Sequence, residues 1–113
     1  MKYMLLIHTD PTKPVDETIS QEYMAYTQAI IESGEFVSGD PLNGPDTATT
    51  VRVRNGSTTT TDGPFAEVKE HMAGYYIVDV KDLDRAIELA AKIPDAKSAG
   101  VEVRPVLDMA MPS

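Results

Sequence analysis

The chain has 113 residues and a mass of 12.3 kDa, room for one domain, and its 18 acidic against 10 basic residues give a net charge of −8. Such a field repels phosphate backbones and anionic lipid at long range, so neither nucleic acid nor a membrane surface is expected as a partner. With no cysteine, the chain can form no disulfide, thiolate metal site or cysteine nucleophile.

The first apolar run, residues 4–7, is shorter than a signal-peptide core, and no stretch approaches the length of a membrane span. A cytoplasmic protein is expected. Residues 2–8 read as a strand with Tyr3, Leu5 and Ile7 on one face and Met4, Leu6 and His8 on the other. Apolar residues on both faces imply a strand covered from both sides. Asp10, Pro11 and Pro14 then break it.

Thr18, with Gln21 three residues later, suggests a capped helix over about residues 18–33, Ser20 being the rival cap. Tyr23, Tyr26, Ile30 and Ile31 recur at helical spacing, and Gly34 stands where a C-terminal cap belongs. Residues 36–38 form a short strand, and the glycines and prolines of 39–46 a loop. Segments 47–54 and 57–61 flank Asn55-Gly56, a strong signal for a hairpin with a type I′ turn. Its Thr- and Arg-rich side chains predict a solvent-facing hairpin.

Residues 74–80 are again apolar on both faces. Asp82 caps a second helix whose stripe reads Leu83, Ala86, Ile87, Ala90 and Ala91, with Glu88 and Lys92 paired on the other side, and Pro94 stops it. A last strand covers 101–106, with Pro105 suggesting an edge. The order β-α-β, hairpin, β-α-β is an α+β, ferredoxin-like (split βαβ) plan for residues 1–106, followed by a tail at 107–113.

In that plan both helices cover one side of the sheet. Four strands leave about 330 Å² of the other side bare, as large as the largest apolar patch of an ordinary monomer. A second copy of the sheet is the simplest cover, so a homodimer is expected; the tail or the hairpin is the alternative cover.

One segment is more specific: Thr61-Asp62-Gly63-Pro64-Phe65-Ala66-Glu67-Val68-Lys69-Glu70, followed by His71-Met72-Ala73-Gly74-Tyr75-Tyr76. With the opening Met1-Lys2-Tyr3-Met4-Leu5-Leu6-Ile7 and the strands Thr49-Thr50-Val51-Arg52-Val53-Arg54 and Val101-Glu102-Val103-Arg104-Pro105-Val106, it closely resembles the DGPF-domain proteins of the YCII-related family. The resemblance implies ferredoxin-like domains that pair face to face as a dimeric α+β barrel. It implies little about reaction: some DGPF proteins are fused to or encoded beside alternative sigma factors, and a few YCII relatives are linked to lyase-like dehalogenation of aromatics. There the chemistry is attributed to a histidine in the first helix and an aspartate just before the proline that ends the second. Here the first helix has no histidine and Ile93 precedes Pro94, so that dyad does not carry over.

Asp62-Gly63-Pro64 reads first as a turn, with Phe65 as its buried anchor. The functional reading sets Asp62 beside Glu67, Lys69 and Glu70, where a carboxylate and a lysine form a proton-transfer pair. His8, at the end of a central strand near Asp10, is a candidate base; His71 neighbours a loop and reads as solvated. The candidate catalytic residues are therefore His8, Asp62, Lys69 and Glu70, bordering a pocket between helices and sheet. Two histidines at unrelated spacing argue against a metal, and no phosphate loop or nucleophile elbow calls for a cofactor. The leading expectation is a small-molecule-binding protein or a cofactor-free proton-transfer enzyme of lyase or isomerase type. The alternative is a non-catalytic sensing or interaction module linked to transcriptional regulation. Enzyme status stays open between them.

Overall fold

The computed structural model describes residues 1–10, 17–65 and 70–108. Its elements are β1 (Lys2–Thr9), α1 (Glu17–Glu32), β2 (Phe36–Pro41), β3 (Thr49–Arg54), β4 (Ser57–Asp62), β5 (His71–Asp79), α2 (Leu83–Ala91) and β6 (Gly100–Pro105). Strands β2-β5-β1-β6 form one antiparallel sheet, and β3-β4 a separate two-stranded one. That is the ferredoxin-like order with a hairpin inserted between its second and third strands.

Strand alternation builds the core. Tyr3, Leu5 and Ile7 of β1 and Tyr76 and Val78 of β5 point to the helices and are buried with Tyr26, Ile30, Ala86, Leu89, Ala90 and Ile93. Leu5 and Val78 are wholly removed from water, each burial contributing about 1.5–3 kcal/mol. On the opposite face Met4, Leu6, Tyr75 and Ile77 are half-buried, shielding one another across the β1–β5 register that sets Met4 against Ile77 and Leu6 against Tyr75. The edge position of β6 fits Pro105 at its end.

Local signals explain the element ends. Gly34 takes φ +80°, its N–H donates to the Ile31 carbonyl (3.0 Å), and the Glu35 N–H donates to that of Ile30 (3.1 Å), a Schellman ending for α1. Asp82 accepts the Arg85 N–H at 2.9 Å and starts α2. Asn55 and Gly56 lie at φ 51° and 80°, as a type I′ turn requires.

Several expectations are corrected. Helix α1 begins at Glu17, so Thr18 lies in its first turn and is not the cap. Ile31 is exposed, Ile30 alone of that pair reaching the core. Strand β2 runs on to Pro41 because pairing with β5 supplies its ladder bonds, overriding the breakers at Gly39 and Pro41. A Cβ on Gly39 would lie 2.7 Å from Tyr76 Cδ1 and 2.9 Å from the Tyr75 carbonyl oxygen, so glycine there permits close approach. Strand β5 starts at His71, which pairs with Thr9 and is half-buried instead of fully solvated, because β1 covers one side of it. In α2 the buried stripe is Ala86, Leu89 and Ala90; Leu83, Ile87 and Ala91 are exposed, because the helix rolls onto β1 and β6 by its Leu89 side. Glu88 pairs with Arg85 at 3.1 Å, within the same helix.

The largest correction concerns Phe65, which is 78% exposed and no anchor. Gly63 turns the chain at φ +115°, and the Phe65 ring falls back on the hairpin with the Arg52 guanidinium 5.1 Å above it. The hairpin stands out as an arm, held at its base by Gly63 N–H to the Ala48 carbonyl and by Thr50 Oγ1 to the Gly63 carbonyl, each 2.8 Å. The radius of gyration is accordingly 16.2 Å, against about 13 Å for a compact chain of this length.

Candidate functional site

A cleft with a volume of about 480 Å³ lies between α1 and the β2–β5 corner of the sheet. Helical spacing puts Tyr23 and Thr27 one above the other along its rim, with Met24 and Gln28 beside them. Ile7, Phe36 and Tyr76 make an apolar floor, and Gly39, Asp40 and Pro41 of the edge strand form the far wall. The Phe36 and Tyr76 rings meet edge to face, 6.3 Å between centroids.

One carboxylate, that of Asp95, borders this cleft from the helix side of the sheet. Pro94 ends α2 and opens a single 3-10 turn, Pro94–Ala96, anchored by the buried Ile93. The turn carries Asp95 toward α1, where its Oδ2 accepts the Tyr23 hydroxyl at 2.5 Å while Ser98 Oγ donates to Oδ1 at 3.3 Å. Burial, then the hydrogen bond and charge of Asp95, push the Tyr23 phenol far above its ordinary range, so its proton stays in place as a donor. On the other face of the sheet, where the register sets Asp40 opposite Tyr75, the Tyr75 hydroxyl donates to Asp40 Oδ2 at 2.9 Å, and that bond raises the Tyr75 phenol. Thr27 Oγ1 and the Tyr76 hydroxyl share a proton-mediated contact of 2.5 Å on the inner wall.

The residues singled out from the sequence fall elsewhere. His8 lies on the sheet face away from the helices, with Nε2 3.7 Å from Glu102 Oε1, while Arg104 Nε lies 3.7 Å from Glu102 Oε2. Asp62 is exposed at the end of β4 opposite Thr49, and Glu70 is exposed before β5. None of the three lines the cleft. Lys69 and Glu67 lie outside the described residues. The expectation is that Asp62 and at least one of His8, Lys69 or Glu70 border the same cavity; Asp62, His8 and Glu70 do not meet in this cleft, because the arm carries Asp62 away from the body while β1 turns His8 to the opposite face, and the pairing with Lys69 falls outside the described residues.

Tyr23 and Asp95 are what the sequence reading missed. Tyr23 counted only as a core stripe residue, and Asp95 was overlooked because it follows Pro94 instead of preceding it. A proline ending a helix aims residues on both sides of it, and that was the available signal.

A scan against known families matches residues 1–110 to the YCII-related domain. The chain belongs to the YCII-related family. An uncharacterized protein of Rhizobium meliloti (strain 1021) is 32% identical over 114 residues, covering 94% of this chain and 92% of its own. Among solved structures, the 5-chloro-2-hydroxyhydroquinone dehydrochlorinase TftG of Burkholderia phenoliruptrix AC1100, in complex with 2,5-dihydroxybenzoquinone, is 14% identical with a TM-score of 0.49, covering 95% of this chain and 94% of its own.

Among the described residues no three His, Asp or Glu side chains gather as a metal site would need, and no helix is long and apolar enough to cross a membrane.

Proposed function

We propose that this YCII-related protein binds a small, largely apolar molecule in the α1–sheet cleft and presents it to the Tyr23–Asp95 pair. The observation that carries this reading is the Tyr23 hydroxyl held at 2.5 Å on Asp95 Oδ2 inside an apolar cleft. A first-helix donor and an aspartate beside the proline that ends α2 meet here, from the two elements to which the sequence resemblance assigns the dyad. Tyrosine replaces histidine, and the aspartate has moved to the other side of the proline.

Such a pair supports cofactor-free proton transfer: Asp95 takes a proton from a ligand O–H, N–H or C–H, and the Tyr23 hydroxyl steadies the carboxylate before and the ligand anion after. The test is a thermal-shift and native mass-spectrometry screen of small aromatic compounds with Asp95→Asn and Tyr23→Phe alongside. Hits bound by the parent chain should lose at least about tenfold in affinity in Asp95→Asn, the size of one charge-assisted hydrogen bond. Equal binding by parent and both variants, with each variant folded, would remove the pair from the site.

The proposed assembly is a cytoplasmic homodimer joined through the face that carries Met4, Leu6 and Ile77, in support of which those side chains sit opposite the helices and no helix among the described residues packs over them. Light scattering at micromolar concentration should then give about twice the 12.3 kDa chain mass. A clean monomer mass would exclude it.

A further inference from the structure

Two hydroxyls on the inner wall of the cleft hold one proton more than they use. Thr27 Oγ1 and the Tyr76 hydroxyl meet at 2.5 Å, and either group can be the donor in that contact. Each hydroxyl brings one proton. One proton is spent on the mutual bond, and neither group makes another hydrogen bond among the described residues, so one is left to give. Tyr76 is only 7% exposed and both residues line the cleft. A donor there is costly to leave unmet, so an oxygen from a ligand or from water has to accept it.

The other polar couple of the cleft offers the reverse. Tyr23 gives its proton to Asp95 Oδ2, and the carboxylate keeps lone pairs that can still accept. Tyr23 and Thr27 are one turn apart on α1, about 5–6 Å between their Cβ atoms, so the two couples hang from the same helix face. They are near enough that the Tyr76 phenol, after burial and Asp95, adds to the rise of the Tyr23 phenol. An acceptor and a donor therefore face one apolar space floored by Ile7 and Phe36. A carbonyl oxygen and the carbon beside it, each with a contact of about 3 Å, bridge a gap of that size.

We infer that the cleft takes a ketone of one or two rings, with Asp95 as base for the carbon beside the carbonyl and the Thr27–Tyr76 couple as donor to the carbonyl oxygen. This rests on the cleft being the binding site and Asp95 its base, as proposed above. Asp95 takes the proton, the C–H electron pair forms the C=C bond of an enolate, and the carbonyl π pair moves onto oxygen. The spare hydroxyl proton meets that oxygen as its charge develops, where a preorganised donor counts most. Return of the proton from Asp95 to the same or a conjugated carbon completes a tautomerisation with no oxidant, reductant or added reactant.

The experiment titrates the intact protein by NMR and calorimetry with 2-tetralone and with tetralin, its counterpart without the oxygen. Exchange of the ketone's protons between carbonyl and ring is followed in heavy water. The ketone should bind at least about fivefold more tightly than the hydrocarbon, the worth of one neutral hydrogen bond. Its exchange should run about a hundredfold faster than in buffer and stop in Asp95→Asn. Thr27→Val and Tyr76→Phe, which keep side-chain shape, should each lose part of the preference, because the remaining hydroxyl is no longer polarised by its neighbour. The two together should lose all of it, with amide spectra showing each variant folded. Equal binding of ketone and hydrocarbon, a preference that survives in the double variant, or exchange no faster than in buffer would overturn this inference and leave the cleft standing. No shift at Tyr23 or Tyr76 with either probe would overturn the cleft reading and this inference with it.

Discussion

The β1–β5 pair and the β3–β4 arm are both regular antiparallel ladders, yet they rest on different forces. In the first, Leu5 and Val78 are wholly buried; in the second, Val51 and Val53 are 58% and 61% exposed. The arm exists because Asn55-Gly56 closes the turn and the backbone bonds at its base hold it, since a two-stranded hairpin alone is marginal in water. The body exists because two helices cover one face of a sheet. β-Branched sequence therefore reports strand, not burial, and the same residue type stabilises one region and decorates the other.

The sharpest test of that contrast is Leu5→Ala, which should cost about 2–5 kcal/mol by denaturant unfolding through lost burial and a residual cavity, whereas Val53→Ala should cost under about 0.5 kcal/mol. Comparable losses at the two positions would show that the arm is packed and break the distinction.

Next in size is Gly39→Ala. Its methyl would press on the Tyr76 ring and on a main-chain carbonyl that cannot retreat, costing about 1–3 kcal/mol and narrowing the cleft. A neutral result in thermal unfolding would mean the β2–β5 corner is looser than the structure shows.

The third test uses acid. The Arg85 fork holds Glu35 at 2.8 Å through both Nε and Nη2, tying the end of α1 to α2, and with the Ser33 hydroxyl it lowers Glu35 to about 2. A depressed carboxylate contributes its stability fully above its unfolded pKa. That contribution is lost as pH falls from about 4.5 through about 2. Glu35→Gln should cost about 1–2 kcal/mol at neutral pH, a figure discounted for partial solvent screening, and should flatten the pH dependence in that window. An unchanged acid profile would assign the acid sensitivity to other carboxylates.

The smallest effect expected is from Phe65→Ala, under about 1 kcal/mol in the monomer, since only the Arg52 stack is lost. A loss of several kcal/mol at concentrations where the protein dimerises, absent on dilution, would place the arm against a second copy and sharpen the comparison into one between intramolecular and intermolecular burial.

Much of the fold was legible where the governing rule is short-ranged. The Gly34 ending, the Asp82 cap, the Asn55-Gly56 turn and the two-faced strands each follow from neighbours within a few residues. The candidate site was far less legible. A stripe through Leu83 and Ile87 and one through Leu89 overlap on the same short helix, and only contact with β1 and β6 selects the second. Phe65 looked like an anchor because anchors follow turns, but the turn belongs to an arm that leaves the body.

The sequence alone determined the alternation that makes a sheet with one apolar face toward helices and another left open, because side-chain period and turn chemistry are written locally. It also determined the family, through long runs of matched residues. Only the tertiary structure brought Tyr23 to Asp95, 72 positions apart, and carried Asp62 and His8 away from the cleft. Distances of that kind are set by how far a helix rolls on its sheet and where a proline-ended turn aims, which depend on packing across the whole domain and leave no mark on neighbouring residues.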